Sequence, residues 1–221
     1  MTLDVIQPCV DACCPPAPAT ATPRQQHLAR RARQLSWASF FIVGLEALIG
    51  IAAGVSAMSW ALIGFGIDSL IEGFASLVIV WRFQEHRILS DSAERIAQRL
   101  VAFQFFALAP YITYEAVTAL IHGDHPDDSL LGMGLAGASM LSMPLLGRAK
   151  MKIARELGSA ATHGEGQQNM LCAYMAAALL VGLLANTLLG LWWLDSAVAL
   201  LIAAIAVREG RNAWRGELAC C

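Results

Sequence analysis

The sequence predicts an all-α membrane protein with six transmembrane helices and both termini in the cytosol. Its composition is the first reason, because 57% of the 221 residues are hydrophobic and only 14% are charged, which is unlike a soluble domain. Span length is the second, because about 20 apolar residues cross about 30 Å of hydrocarbon. Six stretches qualify: 37–57, 60–81, 99–121, 130–147, 166–188 and 190–207.

The placement of the basic residues is the third reason, and it fixes the topology. All 15 Lys and Arg residues lie in four clusters: Arg24 to Arg33, Arg82 to Arg99, Arg148 to Arg155, and Arg208 to Arg215. These clusters precede the first span, separate spans two and three, separate spans four and five, and follow the sixth. Because Lys and Arg hold a loop in the cytosol, we expect the other three connections to face outward.

The spans divide the chain into three expected parts. Residues 1–35 form a cytosolic tail with cysteines, prolines and a basic segment, 36–207 form the six-helix domain, and 208–221 form a short cytosolic tail. The first part lacks the apolar core of a cleaved signal peptide, and the chain has no basic face for nucleic acid. We expect a multi-pass protein of the cell membrane, which in a bacterium is the inner membrane.

Acidic residues fall within or at the ends of the first, second, third and fifth predicted spans, and no Lys or Arg lies in the interior of those spans. They are Glu46, Asp68, Glu72, Glu115 and Glu165. A charge at mid-bilayer costs at least about 2.5–3.5 kcal/mol, so these acids must be protonated, hydrated or neutralised by a bound cation. For Glu46 and Glu115, each alone on its helix, a protonated carboxyl bonded to a neighbouring helix is an equal alternative.

Two polar stripes at the same depth predict a metal site. Asp68 and Glu72 are four residues apart and share one face of span two, where two ionised carboxylates repel each other unless a cation lies between them. On span five, Glu165, Gln168 and Cys172 are spaced three and four apart, so they share a face as well. Carboxylate oxygens and a thiolate are ordinary metal ligands.

The segment from Asp68 to Glu72 resembles the Asp-x-x-x-Asp element of the cation diffusion facilitators. These are six-helix transporters that export zinc and related ions from the cytosol in exchange for protons. The similarity extends along most of the spans: to Gly54, Met143-Pro144, Ser159-Ala160-Ala161 and Trp192-Trp193-Leu194-Asp195. By this resemblance, the family's His-x-x-x-Asp element falls on Gln168 and Cys172, and Glu165 lies where an Asp is common.

The resemblance implies a metal site of Asp68, Glu72 and Cys172 with Gln168 and Glu165. An amide replaces the imidazole and a thiol replaces a carboxylate, so this ligand set is softer than the family's own. His163 either contributes a ligand from the cytosolic side or is a surface residue.

The function that follows is export of a divalent metal, zinc first and cadmium or cobalt as variants, by proton antiport. The protein is then not an enzyme and needs no cofactor, because the metal is its substrate. Its partners are metal ions, protons and the lipid bilayer. The resemblance also implies a homodimer, held by membrane contacts alone because we expect no cytosolic carboxy-terminal domain. The alternative is a membrane metal-binding or accessory protein that has kept the fold and lost transport.

Two polar segments outside the spans leave their roles open. Clustered cysteines occur near both ends: Cys9, Cys13, Cys14, Cys220 and Cys221. Reduced cytosolic thiols suit soft metals, but the spacing matches no closed zinc motif, so these tails either capture metal, carry lipid or do neither. The loop from His122 to Asp128 is either a metal-release surface or a solvated acidic loop.

Overall fold

A computed structural model describes residues 20–57, 60–123, 130–189 and 193–216. Six α-helices occupy these ranges: α1 (Pro23–Ala57), α2 (Trp60–Arg82), α3 (Asp91–His122), α4 (Leu130–Leu157), α5 (Ala160–Leu189) and α6 (Trp193–Arg215), with a short 3-10 helix at Glu85–Arg87. The described residues contain no strand, which confirms the all-α class. The cysteines of both tails and Asp124 to Asp128 lie outside the described residues.

The helices are longer than the predicted spans, mostly at the ends that carry the basic clusters. Helix α1 begins at Pro23 instead of residue 37, α4 continues to Leu157, and α6 continues to Arg215. Basic side chains at a helix end can reach water or an acidic partner, as Arg24 reaches Glu156 at 3.1 Å, so they need not end the helix. The helix ends therefore do not coincide with the ends of the predicted spans.

Local sequence explains where several helices begin. Pro23 occupies the first position of α1, and Thr22 and Gln25 bond reciprocally around it, as in a capping box. Ser90 caps α3 by accepting a hydrogen bond from the Ala93 amide at 3.2 Å. Ser159 does the same for α5 with the amide of Thr162, directly after Gly158 ends α4 with a left-handed φ of 65°. Helices α4 and α5 therefore form a tight hairpin.

Three pairs of helices make the bundle: α1 packs on α2, α4 on α5, and α3 on α6, while α5 also contacts α2, α3 and α6. Helices α4 and α5 cross closely at two glycines. A Cβ atom added to Gly147 would lie 2.7 Å from the carbonyl oxygen of Gly166, so a side chain there cannot be accommodated without a shift. This crossing brings the polar residues of α4 and α5 together.

Glu94, in the first turn of α3, connects the end of α2 and the start of α5. We call this side of the bundle, which carries the basic clusters, its inner side. One carboxylate oxygen pairs with Arg82 of α2 at 2.6 Å, and the other accepts from the Ala161 amide and the Ser159 hydroxyl, each at 3.0 Å. The carboxylate thus neutralises a largely buried guanidinium and also caps α5. This contact closes the bundle on the side of the basic clusters.

Within the described residues, three helical segments are long and apolar enough to cross a membrane by length and composition: Pro23–Ala53, Ile63–Arg82 and Asp91–His122. Helix α4 ends among basic residues, and α5 begins with a run of polar side chains. Several of those polar residues are buried in the bundle, and they belong to the site described next.

Candidate metal site

Helix α2 contributes the two carboxylates that its spacing predicts. Asp68 and Glu72 are only 8% and 3% exposed, and they interact electrostatically with each other. Since α2 contacts α1, α3 and α5, this face of the helix points toward protein and not toward lipid. Two carboxylates are thus enclosed side by side in the bundle, which is costly unless a cation or proton compensates them.

Helix α5 places two polar side chains beside Glu72, and a third, Gln168, lies one turn before Cys172 on the same helix. The thiol of Cys172 lies close to the Glu72 carboxylate, and Nδ2 of Asn169 donates to Oε1 of Glu72 at 2.5 Å. Gln168 is 2% exposed, yet neither its Nε2 nor its Oε1 has a hydrogen-bond partner. A buried amide without partners is unusual in a native structure, so the side chain of Gln168 is available to coordinate a metal ion.

The carboxylates and thiol do not form a closed coordination shell as they stand. Across the ranges that the structure describes, no three His, Cys, Asp or Glu side chains lie close enough to hold a metal ion. Glu72 is the common neighbour, since it lies close to Cys172 and interacts electrostatically with Asp68. A bound ion would therefore need the Gln168 amide as a further donor, or a small approach of α2 and α5.

Glu165 lies in a different environment from the one predicted. Its Oε1 pairs with the Lys150 ammonium at 2.7 Å, and its Oε2 accepts from Ser36 at 2.8 Å. Both partners are fully buried. The expectation that no Lys or Arg neutralises the acids of the spans is wrong for Glu165, because Lys150 belongs to a basic cluster that was placed in a loop. Glu165 can bind a metal only by giving up this ion pair.

The remaining two acids approach the site from other helices. Glu46 of α1 accepts from Ser139 of α4 at 2.7 Å, and its second oxygen has no hydrogen-bond partner. Glu115 of α3 accepts from Tyr111 at 2.8 Å. Both Glu46 and Glu115 act electrostatically on Asp68, so four carboxylates share this region of the bundle.

Sequence reasoning missed two residues that contact the expected ligands. Asn169 lies one helical turn after Glu165 and one residue after Gln168, so the spacing that selected the α5 stripe would have included it. Lys150 could not be found in this way, because Lys in a basic cluster next to a helix end is usually solvated. His163, by contrast, bonds to Gln167 at 3.2 Å, away from Glu72, on the face that Gln167 turns toward Glu209 of α6.

Comparison with known proteins gives the family. A profile of the cation efflux transmembrane domain matches residues 36–215 of the 221, while no curated protein matches the chain. Members of this family are transporters of metal cations and not enzymes. The matched range includes all five expected site residues and the greater part of every helix, and the protein is integral to a membrane. The chain therefore belongs to the cation efflux family.

Proposed function

We propose that the protein exports a divalent metal cation, zinc before other metals, from the cytosol in exchange for protons. The observation that carries the proposal is the pair of buried carboxylates, Asp68 and Glu72, with the thiol of Cys172 close to Glu72. The buried amide of Gln168, which has no hydrogen-bond partner, lies one turn before Cys172 on α5. Two oxygen donors and one sulfur donor suit Zn²⁺ and the softer Cd²⁺ better than Mg²⁺ or Ca²⁺.

The exchange follows from the chemistry of these ligands. A carboxylate or thiolate that binds a metal must first lose its proton, so metal binding releases protons and protons displace metal. When the site opens outward, protons compete for Asp68, Glu72 and Cys172 and the metal leaves. Returning inward with protons bound completes the cycle.

The test is transport of radioactive zinc into inside-out vesicles under an imposed pH gradient, with Asp68→Asn and Glu72→Gln as the variants. Each removes one charge while keeping the shape of the side chain, and the amide oxygen introduced by Glu72→Gln can still accept the hydrogen bond from Asn169. We expect each variant to insert normally and to lose transport. The matched control is Glu156→Gln, which removes an acidic side chain from an exposed ion pair with Arg24. Transport by both site variants at the wild-type rate would place the binding site elsewhere.

The second candidate is a membrane metal-binding protein that does not transport. It is favoured by the amide at Gln168 and the thiol at Cys172, and by the Asn169 N–H group that already occupies one oxygen of Glu72. The same vesicles separate the two functions. A protein that binds zinc in detergent but gives no uptake dependent on the pH gradient has the second function.

A further inference from the structure

Five buried polar side chains form a connected cluster across three helices, and one of them contacts a proposed ligand. We call Ser36 and Ser39 of α1, Lys150 of α4, and Glu165 and Asn169 of α5 the inner polar cluster. None of the five is more than 1% exposed. Asn169 joins this cluster to α2 through its hydrogen bond to Glu72.

Lys150 is the centre of the inner polar cluster. Its ammonium donates to Ser39 at 2.6 Å, to Glu165 at 2.7 Å and to the Asn169 Oδ1 at 2.9 Å. An ammonium has three hydrogen-bond donors, and all three are used. A buried ion pair of this kind adds little stability over apolar residues of the same size, so folding alone does not account for it.

The contact with Lys150 fixes the orientation of the Asn169 amide. Lysine can only donate, so the amide oxygen must face it. The NH₂ group is then left to face Glu72 at 2.5 Å and the sulfur of Met143 at 3.3 Å. Without Lys150, the amide could turn and offer its oxygen to a cation.

We propose that Lys150, acting through Asn169, lowers the metal affinity of Glu72 and so sets how readily the metal is released. The Asn169 N–H group competes with the metal for one carboxylate oxygen, and the Lys150 charge acts on Glu72 across the cluster. Lys150 is thus a positioning residue, and a metal that binds this oxygen of Glu72 competes with the N–H group. This inference rests on the proposed function, because it assigns a role to residues that act on Glu72, a proposed metal ligand.

The experiment measures zinc affinity of the purified full-length protein by competition with a chromophoric chelator. The main variant is Lys150→Met combined with Glu165→Gln, which removes the ion pair without leaving an unpaired charge. We expect zinc to bind about tenfold more tightly, since one hydrogen bond to a charged group is of that order. In vesicles, the KM for zinc and the maximal rate should both fall, because release becomes slower.

The matched control is Arg82→Met combined with Glu94→Gln, which removes a second largely buried ion pair of the described residues, at a place that does not contact Glu72. This control should leave zinc affinity unchanged. A second variant, Asn169→Leu, removes the competing N–H group without adding a ligand, and it should also tighten binding. A structural defect would weaken binding, so a gain in affinity separates a release role from damage to the fold.

Three measured zinc affinities could contradict the role of Lys150 and Asn169 in metal release. Unchanged or weaker zinc affinity in Asn169→Leu would overturn the release role even if the double variant fails to fold. Tighter binding in the Arg82 and Glu94 control as well would overturn it too, since the effect would not depend on Asn169. Wild-type protein that binds no zinc would instead overturn the proposed function, and with it this inference.

Discussion

At the scale of single residues, the thiol of Cys172 is the main departure from the ligand set that the family resemblance implies. It is buried and close to Glu72, so it is placed to act as a ligand. A buried cysteine can equally serve as a small packing residue. The two roles predict opposite results for the same substitutions.

If Cys172 is a ligand, Cys172→Ala should weaken transport of both Zn²⁺ and Cd²⁺, and of Cd²⁺ more, because thiolate prefers the softer ion. Cys172→Asp should keep transport and shift the preference away from Cd²⁺. Competition of Cd²⁺ against radioactive zinc in inside-out vesicles measures this preference. If Cys172→Ala leaves transport unchanged while Cys172→Asp reduces it, Cys172 is a packing residue and not a metal ligand.

At the scale of helices, the glycine crossing between α4 and α5 determines how the site is assembled. Gly147 and Gly166 let the two backbones approach so closely that each would place a Cβ within 3 Å of the other's carbonyl oxygen. In membranes, such contacts between small residues replace the hydrophobic effect as the source of helix association. The ion pair of Lys150 and Glu165 forms within one turn of this crossing.

Gly147→Ala should therefore lower the thermal unfolding midpoint of the detergent-solubilised protein and weaken zinc binding. Gly137→Ala is the control on the same helix, because nothing lies within 4 Å of a Cβ added there, and it should be neutral. Equal midpoints for the two variants would show that the crossing does not hold α4 against α5.

Helix periodicity explains which parts of the site were predictable. It placed Asp68 and Glu72 on one face of α2, and Gln168 and Cys172 on one stripe of α5, because spacing along a helix fixes direction. Periodicity could not reveal that the Lys150 side chain is buried in the bundle, unlike a solvated residue of a basic cluster. Its burial depends on the angle at which α4 crosses α5. The contacts between side chains of different helices depend on how the helices pack, and the residue spacing within one helix does not determine that packing.

At the scale of the whole molecule, the predicted orientation is still to be measured. The inner ends of α2, α3 and α5 meet at Glu94, on the side that carries the basic clusters. The positive-inside rule places this side in the cytosol. Lys150 itself is buried, so the topology must be tested at an exposed neighbour of Arg87.

A cysteine introduced as Glu85→Cys, in the exposed turn before Arg87, should not react with an impermeant thiol reagent added to intact cells. The same reagent should label His122→Cys, at the exposed opposite end of α3. Reactivity is compared with the parent protein to account for its own cysteines. Labelling of the first variant, or protection of the second, would contradict six crossings with cytosolic termini.

The ion pair of Lys150 and Glu165 also constrains how the protein is made. The ribosome adds Lys150 before Glu165, and 15 residues separate them. A lone ammonium within the bilayer costs at least about 2.5–3.5 kcal/mol, so α4 cannot settle at its final depth until its partner is synthesised. The tight turn at Gly158 and Ser159 lets the two helices enter together. We therefore expect α4 and α5 to insert together as a hairpin and not one helix at a time.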